Sequence, residues 1–192
     1  MNLHRPQSIS YTSIWDSTMG RVHDIVVENF KSYQGRVQIG PFRKFTCVIG
    51  PNGAGKSNLM DAISFVLGVQ AKVLRSEKLR DLVYRKEGED PRANQRTAMV
   101  ELRYKHAPSE EHNEEETLIF RRLILKTGEA RFQVNEKAVS QGEYHQQLEG
   151  INILSKVRNF LVFQGDVEAT AQRQGKDLTA FFEQISGSEG FR

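Results

Sequence analysis

The chain has a single cysteine, Cys47, so it can build neither a disulfide framework nor a cysteine metal cluster. That usage fits a reducing compartment. No window approaches the roughly 20 apolar residues of a membrane-spanning helix, so no membrane partner is expected. The first eighteen residues lack the apolar centre of a secretory signal. There are only five prolines, and neither repeats nor low-complexity tracts occur, which excludes solenoids and proline-rich linkers. Charge of one sign is also lacking. Lys and Arg number 27 against 24 Asp and Glu, a net +3 that tilts only weakly toward polyanionic partners. What remains, 38% hydrophobic and 27% charged residues, is the mixture of a globular domain with a charged surface.

The apolar pattern divides the chain into short strands and a few helices. Residues 1–18 read as a disordered leader, with Met19 a possible start of translation just before the first strand. Val22 to Glu28 is β-branched and predicts a strand, Asn29 to Gly35 a loop, and Val37 to Ile39 a second strand ending at Gly40-Pro41. Lys44 to Ile49 predicts a strand buried on both faces, with Cys47 inside it. Ser57 to Leu67 has helical spacing, with Leu59, Ile63 and Val66 on one face and Gly68 as its cap.

Further on, residues 72–96 are rich in basic residues and hold loops, with room for a short helix. Ala98 to Tyr104 alternates as a half-buried strand, and Glu110 to Glu116 is an acidic loop. Leu118 to Leu125 turns at Thr127-Gly128 into Ala130 to Val134, an antiparallel hairpin. Ser140 and Glu143 form an S-x-x-E capping box, which starts a helix reaching Leu148 and closing at Gly150. A short helix is expected through Leu154 and Val157. Phe160 to Phe163 is expected to be a buried strand ending at Gln164, and the tail from Lys176 is helical, with Leu178, Phe181, Phe182 and Ile185 on one face.

Between the strand at Lys44 to Ile49 and the helix at Ser57 lies Gly50-Pro51-Asn52-Gly53-Ala54-Gly55-Lys56-Ser57, a full match to G-x-x-x-x-G-K-[ST]. A chance match in a chain this long is on the order of one in a hundred, and the strand and helix on either side lower that further. Glycines let backbone amides turn toward phosphates, and the new helix aims its unsatisfied amides and positive dipole end at the same place. Lys56 adds a point charge at the β- and γ-phosphates, and the Ser57 hydroxyl is a ligand for Mg²⁺. ATP with Mg²⁺ is therefore the expected cofactor. No run of four apolar residues ends in the acid that would polarise water, and no Leu-Ser-Gly-Gly signature is present. The chain by itself is expected to bind ATP poorly or moderately and hydrolyse almost none.

Asn29-Phe30-Lys31-Ser32-Tyr33, Ile39-Gly40-Pro41-Phe42, the run from Ile49 through Asn58-Leu59-Met60-Asp61-Ala62-Ile63 to Gly68, and Asn159 to Gly165 together resemble the structural-maintenance-of-chromosomes (SMC) family. Within it they are most similar to the first SMC subunit of cohesin rather than to the condensin or repair members. The resemblance spans Met19 to Ser188. It implies an α/β fold, an ABC-type P-loop half-head with a mixed sheet and an antiparallel outer lobe. On that reading residues 19–188 are the N-terminal half of an ATPase head, and 189–192 begin a coiled coil. Gln164 would touch Mg²⁺ and sense the γ-phosphate, Arg75 would approach the phosphates, Asn58 would lie at the nucleotide, and Lys31 would sit in a loop that faces DNA or nucleotide. The implied partners are the second cohesin SMC subunit, a kleisin, and double-stranded DNA held by its phosphates, in the nucleus on chromosomes. Arg75, Lys78, Arg80, Arg85, Lys86, Arg92 and Arg96 would supply charge to that DNA, against the plainer reading of a solvated face. A small-molecule kinase, a transporter ATPase and a nucleotide-binding module without hydrolysis share the phosphate loop and remain open here.

Overall fold

A computed structural model describes residues 20–43, 45–69, 76, 78–90, 93–106, 116–153 and 175–186. Its centre is an antiparallel sheet of six strands: β1 (Arg21–Phe30), β2 (Tyr33–Ile39), β3 (Ala98–Lys105), β4 (Thr117–Ile124), β5 (Ala130–Val134) and β6 (Lys137–Val139). Their order across the sheet is β2-β1-β3-β4-β5-β6. Among the described residues three α-helices accompany them, α1 (Lys56–Val66), α2 (Gln141–Gly150) and α3 (Lys176–Ser186), with a 3-10 turn at Leu79–Leu82.

Alternation along the strands builds one apolar face. Ile25 and Val27 of β1, Val100 and Leu102 of β3, Phe120 and Ile124 of β4, and Phe132 and Val134 of β5 all join one buried cluster. Ala62, Phe65 and Val66 of α1 and Tyr144 and Leu148 of α2 close that face. The strands expected at Val22 to Glu28, Val37 to Ile39, Ala98 to Tyr104, Leu118 to Leu125 and Ala130 to Val134 are present, with the hairpin at Thr127-Gly128, as is the helix begun by the capping box, where the Ser140 hydroxyl accepts from the Glu143 amide. The tail helix α3 also forms.

Four expectations change. The loop at Asn29 to Gly35 is a tight hairpin, in which Phe30 pairs with Tyr33 across Lys31 and Ser32. A sixth strand follows the two-residue turn at Asn135 and Glu136, both in the left-handed region at φ 46° and 68°. Helix α1 buries more than the face of Leu59, Ile63 and Val66, because from Asp61 onward all its residues are buried except Ile63, itself expected on that face. The opposite face of the sheet is no solvated surface at its centre either: Val26 and Glu101 are each 1% exposed.

The largest correction concerns the run before the phosphate loop. Residues 45–49 adopt no strand, with Phe45 and Ile49 each 87% exposed and Cys47 exposed as well. A strand buried on both faces exists only where neighbours take up its amides and carbonyls. Among the described residues the six-strand ladder is filled without it. Phe160 to Phe163, expected as a second buried strand, lies outside the described residues, as do the short helix through Leu154 and Val157, most of the acidic loop and residues 1–18.

Candidate functional site

The loop Gly50 to Ser57 opens α1. Gly53 and Gly55 take φ values of 82° and 90°, a region that disfavours any residue with a Cβ. Gly55 is the N-cap, and its carbonyl accepts from the amides of Asn58 and Leu59 at 2.9 and 3.1 Å. Helix geometry leaves the amides of the first turn, including Lys56 and Ser57, without carbonyls inside the helix. Lys56 bends back over the loop, its ammonium donating to the carbonyls of Gly50 and Pro51 at 2.7 and 2.8 Å. Pro51, Asn52, Gly53, Ala54 and Ser57 are exposed, and nothing stands within 4 Å of where a Cβ on Gly53 would point. Glycine turns, the amides of the first helical turn, an ammonium and an exposed hydroxyl thus belong to one short, exposed loop. These residues fit a triphosphate with its magnesium.

The β1–β2 turn forms the wall behind this loop. The Ser32 hydroxyl accepts from Asn58 Nδ2 at 2.8 Å and lies 3.1 Å from the position of a Cβ on Gly55. Lys31 donates from its ammonium to Asp61 Oδ2 at 2.5 Å. Asn58 and Lys31 are therefore brought to the loop, each directed at a protein partner. Arg75 and Gln164 lie outside the described residues.

The far end of α1 is fastened as firmly. Gly68, at φ 85°, donates to the Phe65 carbonyl and Val69 to that of Ser64, the paired bonds of a Schellman cap. Arg122, buried in β4, donates from Nη1 to the carbonyls of Phe65 and Val69 at 2.8 and 2.9 Å. Its guanidinium lies between the rings of Phe65 and Phe132. Burial lowers the Arg122 pKa from 12.5 to about 10, so it remains charged at neutral pH and faces the negative end of the helix. The Tyr144 hydroxyl donates to the Val66 carbonyl at 2.6 Å, and burial pushes its pKa well above the ordinary value. Sequence reading missed Asp61, Arg122 and Tyr144. The one available signal was polarity inside apolar runs: Asp61 within α1 and Arg122 amid Phe120, Leu123 and Ile124.

Two of the basic residues at 72–96 are structural rather than solvated. Arg80 donates to the carbonyls of Arg96 and Asn94, and Arg96 pairs with Glu89 at 2.6 Å. Asn94, 2% exposed, donates to the Tyr84 carbonyl and accepts from the Arg96 amide. Lys78, Arg85 and Lys86 stay exposed. On the outer face of the sheet, Glu101 is held by Arg121 at 2.6 Å and by Arg103 at 2.8 Å. Burial alone would raise its pKa, but the bonds and charge of the two arginines outweigh that and hold it below the usual carboxylate range.

An antiparallel sheet laid on the helix that a G-x-x-x-x-G-K-S loop opens defines the class, an α/β P-loop ATPase-head fold. Comparison with known proteins narrows it. The RecF/RecN/SMC N terminal domain matches residues 21–189, and the chain belongs to that family. It is 46% identical over 173 residues to Structural maintenance of chromosomes protein 1 of Arabidopsis thaliana, covering 90% of this chain and 14% of that protein. The protein of the same name from Schizosaccharomyces pombe is 46% identical over 177 residues, with 88% and 14% covered. The chain thus spans about a seventh of the length of the curated relatives it matches. Among solved structures, one from work on ATP-driven dimerization and DNA-stimulated activation of SMC ATPases superposes with a TM-score of 0.72 at 28% identity, covering 85% of this chain and 98% of that one. The Pyrococcus furiosus Smc head domain, bound to the C-terminal domain of ScpA, gives 0.72 at 30% identity, covering 88% and 42%.

Proposed function

We propose that this chain is the ATP-binding N-terminal half of an SMC head of the cohesin kind. The observation that carries the reading is the Lys56 ammonium held over a glycine loop at the start of α1, in a chain 46% identical to SMC1 proteins. Gly50 to Ser57 hold the triphosphate by backbone amides and Lys56, while Ser57 and Gln164 hold Mg²⁺, with Arg75 near the phosphates. The magnesium, when bound, draws charge from the β- and γ-phosphates and so eases transfer of the γ-phosphoryl to water. This chain's own residues bind and orient.

The acid and the signature segment that hydrolysis needs come from a C-terminal half and a partner SMC head, the second cohesin SMC subunit. ATP then engages the heads and hydrolysis releases them, which couples nucleotide state to DNA entrapment, sister chromatid cohesion and chromosome organisation in the nucleus. The neighbouring SMC head bound to ScpA supports a kleisin partner for this head as well. Duplex DNA is met through its phosphates, for which Lys78, Arg85 and Lys86 are the exposed cations among the described residues at 78–90. The test is reconstitution with the C-terminal half and the partner head, with and without DNA. ATP turnover that disappears in Lys56→Ala supports the reading. Turnover indifferent to Lys56, or none in the complete assembly, refutes it.

A further inference from the structure

We infer that Lys31 is a positioning residue for the phosphate loop, acting through Asp61 and Ser32 rather than by touching the nucleotide. The inference rests on reading Gly50 to Ser57 as the ATP site. Lys31 has φ 49°, a left-handed conformation that a lysine rarely adopts and that persists only where its surroundings impose it. Two bonds impose it here. The Lys31 amide donates to the Leu82 carbonyl at 2.7 Å, and its ammonium reaches Asp61 at 2.5 Å. The pair is sheltered, with side-chain exposures of 15% for Lys31 and 1% for Asp61.

Asp61 lies three residues beyond Asn58, on the same side of α1, and Asn58 holds the Ser32 hydroxyl. The turn therefore grips two successive turns of α1. It also sets Ser32 Oγ against Gly55, the left-handed residue on which the loop pivots into the helix. Removing one partner of a sheltered ion pair weakens the hold on the other. Lys31 then has less to hold it in the left-handed region, and Ser32, the next residue, leaves its place behind Gly55.

The sign of one substitution separates this role from direct contact. If Lys31 served the phosphates, Asp61 would compete for its ammonium and repel the anion, and Asp61→Asn would tighten binding. A positioning role makes the same substitution weaken binding. The probe is a fluorescent ATP analogue titrated with Mg²⁺ against the parent chain, Lys31→Met, Asp61→Asn, the double variant, Lys31→Arg and Ser32→Ala, with circular dichroism confirming the fold of each. Each neutralising single variant should weaken binding about ten-fold, equivalent to about 1.4 kcal/mol. The double should be no worse than the poorer single, and Lys31→Arg should recover most of the loss. Should Asp61→Asn fail to fold, Ser32→Ala carries the test, with weaker binding expected because the wall behind Gly55 is removed. Unchanged or tighter binding in Asp61→Asn, parental affinity in a folded Ser32→Ala, or losses that multiply to about a hundred-fold in the double would overturn the inference. Lys56→Ala is the separate control. If it binds as the parent does, the ATP reading itself is at fault, whatever the Lys31 series shows.

Discussion

Replacing Arg122 by methionine tests how the sheet holds the helix that carries the phosphate loop. Methionine keeps much of the apolar stem and removes the guanidinium, so the Val69 carbonyl loses this donor and the Phe65 carbonyl keeps only the Gly68 amide of the two named. Two bonds from a charged donor contribute about 2 kcal/mol each, and the charge 4.3 Å from the Phe65 ring centre about 2 more in a desolvated setting. Against this stands the cost of burying the charge. The fall of the Arg122 pKa from 12.5 to about 10 corresponds to about 3 kcal/mol. The balance is about 3 kcal/mol in favour of arginine, close to what breaking a buried charged network costs in general. At about 2–4 °C per kcal/mol for a chain of this size, Arg122→Met should melt roughly 6–12 °C lower. Denaturant unfolding followed by circular dichroism gives the free energy, and calorimetry the melting temperature. Arg122→Lys, which keeps the charge but not the forked geometry, should fall between the two. If Arg122→Met unfolds within about 0.5 kcal/mol of the parent, as an ordinary surface substitution would, the guanidinium does not anchor α1.

The charged and ionisable groups around the sheet give three further expectations. Tyr144 has a raised pKa in the folded chain, so its contribution is complete below the ordinary tyrosine value and is lost as pH rises toward the folded one. Stability should therefore drop in alkali, and the drop should be smaller in Tyr144→Phe, as read by unfolding at a series of pH values above 9. Glu101 has a lowered pKa, so its contribution is present above the ordinary carboxylate value and is lost as pH falls through the folded one. Glu101→Gln should be less stable than the parent at pH 7, with the difference narrowing in acid. DNA binding by the assembled head should be indifferent to sequence and fall with salt. Neutralising Arg85 or Lys86 should lower the slope of log affinity on log salt by about 0.9 for each phosphate no longer neutralised, whereas Arg80→Ala should destabilise the fold instead.

How far the fold can be read from the sequence depends on whether each signal is local. β3, β4 and β5 are legible because every second residue enters one core, and α2 because Ser140 and Glu143 satisfy each other's amides. β6 escapes notice because it has three residues and follows a turn in which Glu136 takes a positive φ, a place where glycine is the usual cue. The burial of α1 beyond one face from Asp61 onward is not legible, because helical spacing says nothing of a second layer. The run at 45–49 has the composition of a buried strand, but composition cannot supply the neighbours that make one. At the site, the loop is legible in full because one contiguous stretch carries its chemistry. Lys31 with Asp61, Arg122 with the end of α1, and Tyr144 with Val66 join residues 30, 57 and 78 positions apart, and no local pattern announces such pairs.

Titration of the chain with MgATP by calorimetry, beside Lys56→Ala under identical conditions, tests the account most directly. The parent should bind and the variant should not, while the circular dichroism spectrum and melting temperature of the two agree. Equal affinity in both, with the variant folded, would mean that the loop opening α1 does not hold nucleotide.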